Sequence, residues 1–216
     1  MEKDDIDDFL SSIPGKFRTI EEKIHPEIFF EFYNYLEGKP ASLNKEQPES
    51  QKSEFVKLAL EGDIISYRKI ENLIANGNLS EKLKDFGMVA LNHCRMMIEN
   101  DLLDESEGMV SGGLGGTYNK LRYFVALAGK DIITLSQFDL LKKSFTEVTK
   151  QKDSILEEST NYGKYVTMLI LGSFDYAIGD IIESGINSYG FIYNDYYVTN
   201  VEIPAEEDIL KWMHEM

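Results

Sequence analysis

Cysteine is almost absent from this chain of 216 residues: Cys94 is the single one. An intramolecular disulfide framework is thereby excluded, and so are Cys-rich zinc and iron–sulfur sites. Basic residues are also scarce, 22 Lys and Arg against 38 Asp and Glu, for a formal net charge of -16. Binding nucleic acid over the whole surface is not expected, because phosphates are neutralised by Lys and Arg. Long apolar runs are missing too. The most apolar stretch, Tyr165–Leu171, falls far short of the roughly 18 residues of a membrane-spanning helix. The acidic start, Met1–Asp8, lacks the basic and apolar regions of a secretory signal. A soluble, cytoplasmic, acidic protein without a membrane part is expected.

The 43% apolar and 12% aromatic content supports one or two folded domains with a substantial core. Residues 1–107 read as a helical region. Ile6, Phe9, Leu10 and Ile13 share a helical face that stops at Pro14-Gly15, and Phe17, Ile20 and Ile24 repeat the spacing up to His25. Pro26 suits the first turn of a helix carrying Phe29, Phe32, Tyr33 and Leu36. The polar stretch 38–52 reads as a linker or mobile loop. Ser53 caps a following helix, Gly62-Asp63 separates it from the next, Asn76-Gly-Asn78 ends that one, and Ser80 caps a long helix through Asn100.

Residues 108–216 read as an α+β domain, an open mixed sheet with helices packed against it. Leu121–Leu127 suits a strand. Thr134 or Ser136 caps a helix with apolar positions from Phe138 through Ile155. Tyr165–Leu171 reads as a buried strand, with one continuous helix from Tyr162 to Ile186 as the competitor. Ser173 then caps a helix holding Ile178, Ile181, Ile182 and Ile186. Asn194-Asp195, between Phe191–Tyr193 and Tyr196–Ile203, predicts a tight hairpin, and Pro204 opens a last short helix.

Two constellations stand out as candidate binding sites. Gly112, Gly113, Gly115 and Gly116 could cradle phosphate through backbone N–H groups, with Lys120 and Arg122 supplying charge. Neither GxxxxGK[ST] nor GxGxxG spacing occurs, however, and the run precedes a strand; a mobile or entry loop is the simpler reading. Tyr189, Tyr193, Tyr196 and Tyr197 form the densest aromatic cluster, suited to an interaction surface.

Charge is uneven: net -10 over 1–107, +1 over 108–160 and -7 over 161–216. The segment 118–152 is thus a relatively basic island, with Lys142, Lys143, Lys150 and Lys152 on its helix, and RNA is a conceivable ligand for it. His93 and Cys94 are adjacent, so on a helix they point about 100° apart and make a poor nucleophile–base pair. A carboxylate metal site assembled from Asp175, Asp180 and Glu183 is a minor alternative, since pairs such as Asp180 and Glu183 are common on solvated helices, and no EF-hand or paired-histidine pattern occurs. No catalytic residues, cofactor or metal are expected. The leading reading is a non-catalytic protein-interaction or regulatory module whose partner is another protein. The alternatives are an enzyme or binding protein for a phosphorylated or nucleotide-like ligand at Gly112–Gly116, and an RNA-binding protein using 118–152.

Overall fold

The computed structural model describes residues 16–38, 49–104, 107–117, 119–187 and 193–215. They fall into two compact units: one ends at Ser111, and the other comprises Gly112 onward together with Glu21–Lys23.

Local capping explains much of the first unit. Helix α1 (Pro26–Leu36) starts on a proline, with the His25 ring accepting from the Glu27 N–H. Helix α2 (Glu49–Glu61) is followed by α3 (Ile64–Asn76), whose N-cap Asp63 accepts from the Ser66 N–H at 2.7 Å. Helix α4 (Glu81–Leu103) is capped by Ser80 and stops where Asp104 turns left-handed at φ 51°. The four helices bury Phe32, Phe55, Ile70 and Phe86 in one core. Each such side chain contributes about 2–3 kcal/mol by leaving water.

Three expectations for this part need revision. Phe17 begins no helical turn: Lys16–Thr19 is strand β1, paired parallel with β2 (Glu107–Val110). The Ile20 N–H extends that ladder to the Val110 carbonyl, and both Ile20 and Ile24 are buried, so their four-residue spacing mimicked a helix face. Residues 49–52, read as part of a polar linker, open α2, so Ser53 lies inside that helix and does not cap it; 39–48 lie outside the described residues. The expected helix over Ile6–Ile13 lies outside them as well.

The second unit is α+β, as expected. Its strands are β3 (Gly116–Thr117), β4 (Lys120–Gly129), β5 (Ile155–Asn161), β6 (Tyr165–Ser173) and β7 (Tyr193–Thr199). Its helices are α5 (Leu135–Gln151), α6 (Ile178–Asn187) and α7 (Glu206–Glu215). The long strands lie in the order β7-β4-β6-β5, and β3 pairs with the start of β4. Every pair in this sheet is antiparallel, not mixed. The run β4-α5-β5-β6-α6-β7 is therefore a split βαβ pair of the ferredoxin-like type.

Period-two alternation along β4 assigns the two faces. Val125 and Leu127 meet Leu141 and Phe145 of α5 and Ile182 and Ile186 of α6. Phe124 and Ala126 point to the opposite side, where Tyr165, Leu114 and Ile209 of α7 form a smaller core.

Three further expectations change here. Ile155 does not continue α5; the helix ends at Gln151 and Asp153 turns left-handed at φ 44°, so the chain doubles back as β5. Ser173 ends β6 rather than capping α6, which begins at Ile178. Asn194-Asp195 makes no hairpin. Both lie within β7, where Ala128 faces Asp195 and Gly129 faces Tyr193, so Asn194 is the extra residue of a bulge.

Candidate functional site

The glycine run packs against backbone. Leu114 N–H donates to the Asn200 carbonyl at 3.1 Å, and Gly115 N–H to the Gly112 carbonyl at 2.8 Å. Gly113 is needed for close approach: a Cβ there would stand 1.8 Å from the Val201 carbonyl oxygen. Gly116 belongs to β3. The two cations chosen with the glycines are both engaged. Lys120 Nζ lies 2.7 Å from Asp153, and the Arg122 guanidinium grips Glu157 in a two-point contact at 2.5 and 2.8 Å. Its third nitrogen reaches the Leu114 carbonyl at 2.8 Å, which ties the loop to β4. Bonding to Glu157 raises the guanidinium pKa further. A phosphate would have to displace these carboxylates.

Of the tyrosine cluster, Tyr189 lies outside the described residues. Tyr193 opens β7. Tyr196 and Tyr197 point to opposite faces, the first onto the α5–α6 core and the second toward Trp212, with ring centroids 5.9 Å apart. Both are half-buried, so they do not form one exposed aromatic surface. Within the basic island, Lys152 sits over the Tyr176 ring at 5.1 Å, and Lys142, Lys143 and Lys150 are exposed on α5.

Cys94 and His93 are both buried in the first unit. Burial raises the thiol pKa and lowers that of the imidazole, so neither thiolate nor imidazolium is favoured. Among the described residues no group of three or more His, Cys, Asp and Glu is placed to hold a metal ion; Asp175, Asp180 and Glu183 are no exception. Nor is any described helix long and apolar enough to cross a membrane.

Two features escaped the sequence reading. The first is a half-open cavity of about 220 Å³ on the sheet face opposite α5 and α6, with Ile203, Pro204, Glu206 and Ile209 along one side. Strand alternation carries Glu158 and Thr160 to its wall from β5 and Tyr165 and Thr167 from β6, while Glu206 comes from α7. The Tyr162 and Tyr165 rings stack at 4.8 Å and 10°. Tyr165 is 3% exposed, and its hydroxyl lies beside the Glu206 carboxylate. Its pKa is raised, first by burial and then by the charge of Glu206. The alternation Glu158, Thr160, Tyr162 was the available signal, overshadowed by the helical pattern that ran on to Ile155 just before it.

The second feature is apolar and exposed. At the α2–α3 turn Leu60, Ile64 and Ile65 are 52%, 66% and 68% exposed. Met97 of α4 lies against the same turn, its Cβ 3.1 Å from where a Cβ on Gly62 would be. Beside it, Tyr35, Val56 and Leu60 line an open groove of about 440 Å³ rimmed by Lys57 and Glu61.

No family model matches the chain, and no curated protein matches it either. Among solved structures it resembles, with a TM-score of 0.38 and 18% identity, a candidate transposase from Deinococcus radiodurans R1. That match covers 44% of this chain and 90% of the other, a likeness too slight to imply a shared activity.

Proposed function

We propose that this chain is a non-catalytic, cytoplasmic protein-interaction module that docks through the α2–α3 corner. The observation that carries this reading is the exposure of Leu60, Ile64 and Ile65 within six residues of chain. Large apolar side chains grouped at a surface mark interaction sites, because water leaves them favourably when a partner covers them. The partner is a protein with an apolar centre and a basic rim. A second copy is disfavoured, since each chain carries a net charge of -16 and copies repel one another. The acid excess of residues 1–107 attracts a basic rim instead.

The test compares the native chain with the doubly substituted Ile64→Ser, Ile65→Ser chain as bait, with nuclease present and over a salt series. A protein retained by the native bait, at least about fivefold less by the variant, and progressively less as salt rises is the expected result. Both positions are solvent-facing, so the thermal midpoint should hold. Equal retention by both baits would overturn the reading, as would retention that vanishes on nuclease treatment.

A further inference from the structure

We propose that α7 is a strap: it leaves the sheet as one piece, hinged at Ile203-Pro204, while the rest of the second unit stays folded. The docking corner lies in the other unit and plays no part in this.

The chain is held differently on the two sides of the hinge. Upstream it is fixed, since the Leu114 N–H donates to the Asn200 carbonyl and the Val201 N–H to the Thr199 hydroxyl at 3.1 Å. Gly113 also packs directly on the Val201 carbonyl. Glu202 and Ile203 are then exposed, and Pro204 has no N–H to donate. Among the described residues, no backbone hydrogen bond ties Glu202, Ile203 or Pro204 to the sheet.

Helix α7 is itself lightly held. Of its ten residues Ile209 alone is buried, whereas α6, of the same length, buries Ile181, Ile182, Gly185 and Ile186. Trp212 adds a tilted contact with Tyr197, and Glu206 lies beside the Tyr165 hydroxyl. The half-open cavity of about 220 Å³ is lined by both the sheet and α7, so part of the facing surface forgoes contact. Glu158 and Glu206 border it from the two sides with charges of one sign, which favours separation.

A helix of this length is marginal in water without packing, so leaving the sheet costs α7 its helix too. Its amides therefore open together. Opening uncovers Phe124, Ala126 and Tyr165, a face that is shut while α7 is docked. Segments that move in regulation come from this low-stability end of a fold, and here the strap sets access to that face.

The test is native-state hydrogen exchange of the full chain, followed residue by residue by NMR. Amides from Leu210 to His214 should exchange at least about 100-fold faster than those of Ile182 to Ile186 in α6, with Leu210 and Met213 equally protected. Protection that climbs steadily from His214 back to Leu210 would be ordinary end fraying and would overturn the proposal, as would protection equal to that of α6. Ile209→Ala should speed exchange in α7 about tenfold and leave α6 unchanged. Leu210→Ala, on the exposed side of the same turn, should leave both near their native rates. Equal acceleration by the two variants would mean that helix formation, not docking, holds α7, and the strap would be lost. Trp212, the single tryptophan, reports the same motion without any substitution. Its emission should shift to the red at urea concentrations where the α6 amide peaks are still native; a shift that waits for α6 to unfold would also overturn the proposal.

Discussion

The Lys52 ammonium lies 2.6 Å from the Glu31 carboxylate, joining α2 to α1 where the lysine side chain is almost wholly buried. Rings enclose the charge, with Phe86 at 5.6 Å and Tyr35 at 5.9 Å. Removing one partner strands a charge, whereas removing both leaves an apolar contact. Glu31→Gln is therefore expected to destabilise the chain by about 2–4 kcal/mol, the lower end reflecting partial exposure of the carboxylate. The double variant Glu31→Met, Lys52→Met should lie within about 1 kcal/mol of the native chain. Urea denaturation of the single and double variants measures both.

Gly185 of α6 sits directly against the Phe145 ring of α5: an added Cβ would stand 2.7, 2.7 and 2.8 Å from three of its ring atoms. The Ser144 hydroxyl also donates to the Gly185 carbonyl, so the two helices are fastened at this level. Gly185→Ala should cost about 1–3 kcal/mol through overpacking, despite alanine's better helix propensity. A lowered thermal midpoint is the readout; an unchanged or raised one would mean that the helices separate freely.

His93 packs among rings, 5.4 Å from Phe32 and 6.0 Å from Tyr33, and its Nδ1 is buried without a partner. Burial lowers its pKa, so below about 6.5 the unfolded chain binds the extra proton and the folded chain resists it. The neutral ring's contribution is full above about 6.5 and is lost as pH falls from there toward the lower folded value. The urea midpoint should drop between pH 7.5 and 5.5, and His93→Phe should flatten that slope. An identical slope in the variant would assign the acid sensitivity elsewhere.

Tyr33, in the same cluster, is pushed up to about 12 by burial. Its phenol stays protonated well past the ordinary value of about 10, and the associated stability is lost only as pH rises toward 12. Ultraviolet titration should show a tyrosine ionising in that late phase, and Tyr33→Phe should remove it.

At the glycine loop, Gly113→Ala sets a methyl against the Val201 carbonyl. A loss of about 2 kcal/mol or more is expected, because backbone has to move to admit it. An open, ligand-receiving loop would tolerate the change, so a thermal midpoint within a degree of the native one would contradict the packing described here.

Signals confined to a few neighbouring residues were legible in the sequence. Pro26, Ser80 and Thr134 start their helices as their chemistry demands, and Thr134 completes a reciprocal pair with Gln137. What escaped depends on distant partners. Lys16–Thr19 becomes a strand only because Glu107–Val110 comes alongside, and Ile155 leaves the helix only because β6 offers it a ladder. Asn194-Asp195 carries turn residues, yet pairing with β4 absorbs them as a bulge. The cavity draws on residues from 124 to 209, and no single stretch spells it out. The glycine run was conspicuous, but what fills the space above it is the Asn200–Val201 backbone, some 90 residues on.

The strand order β7-β4-β6-β5 also constrains how this chain is made. Strand β4 is the first long strand of its sheet to be synthesised, yet one of its neighbours is the last strand. While the ribosome works through α5, β5, β6 and α6, the Phe124–Gly129 edge stays without its β7 partner. An unpaired apolar edge is a template for mispairing. Folding of the second unit thus waits on Tyr193–Thr199, and until that segment arrives the β4 edge is a surface for chaperones that shield strand edges.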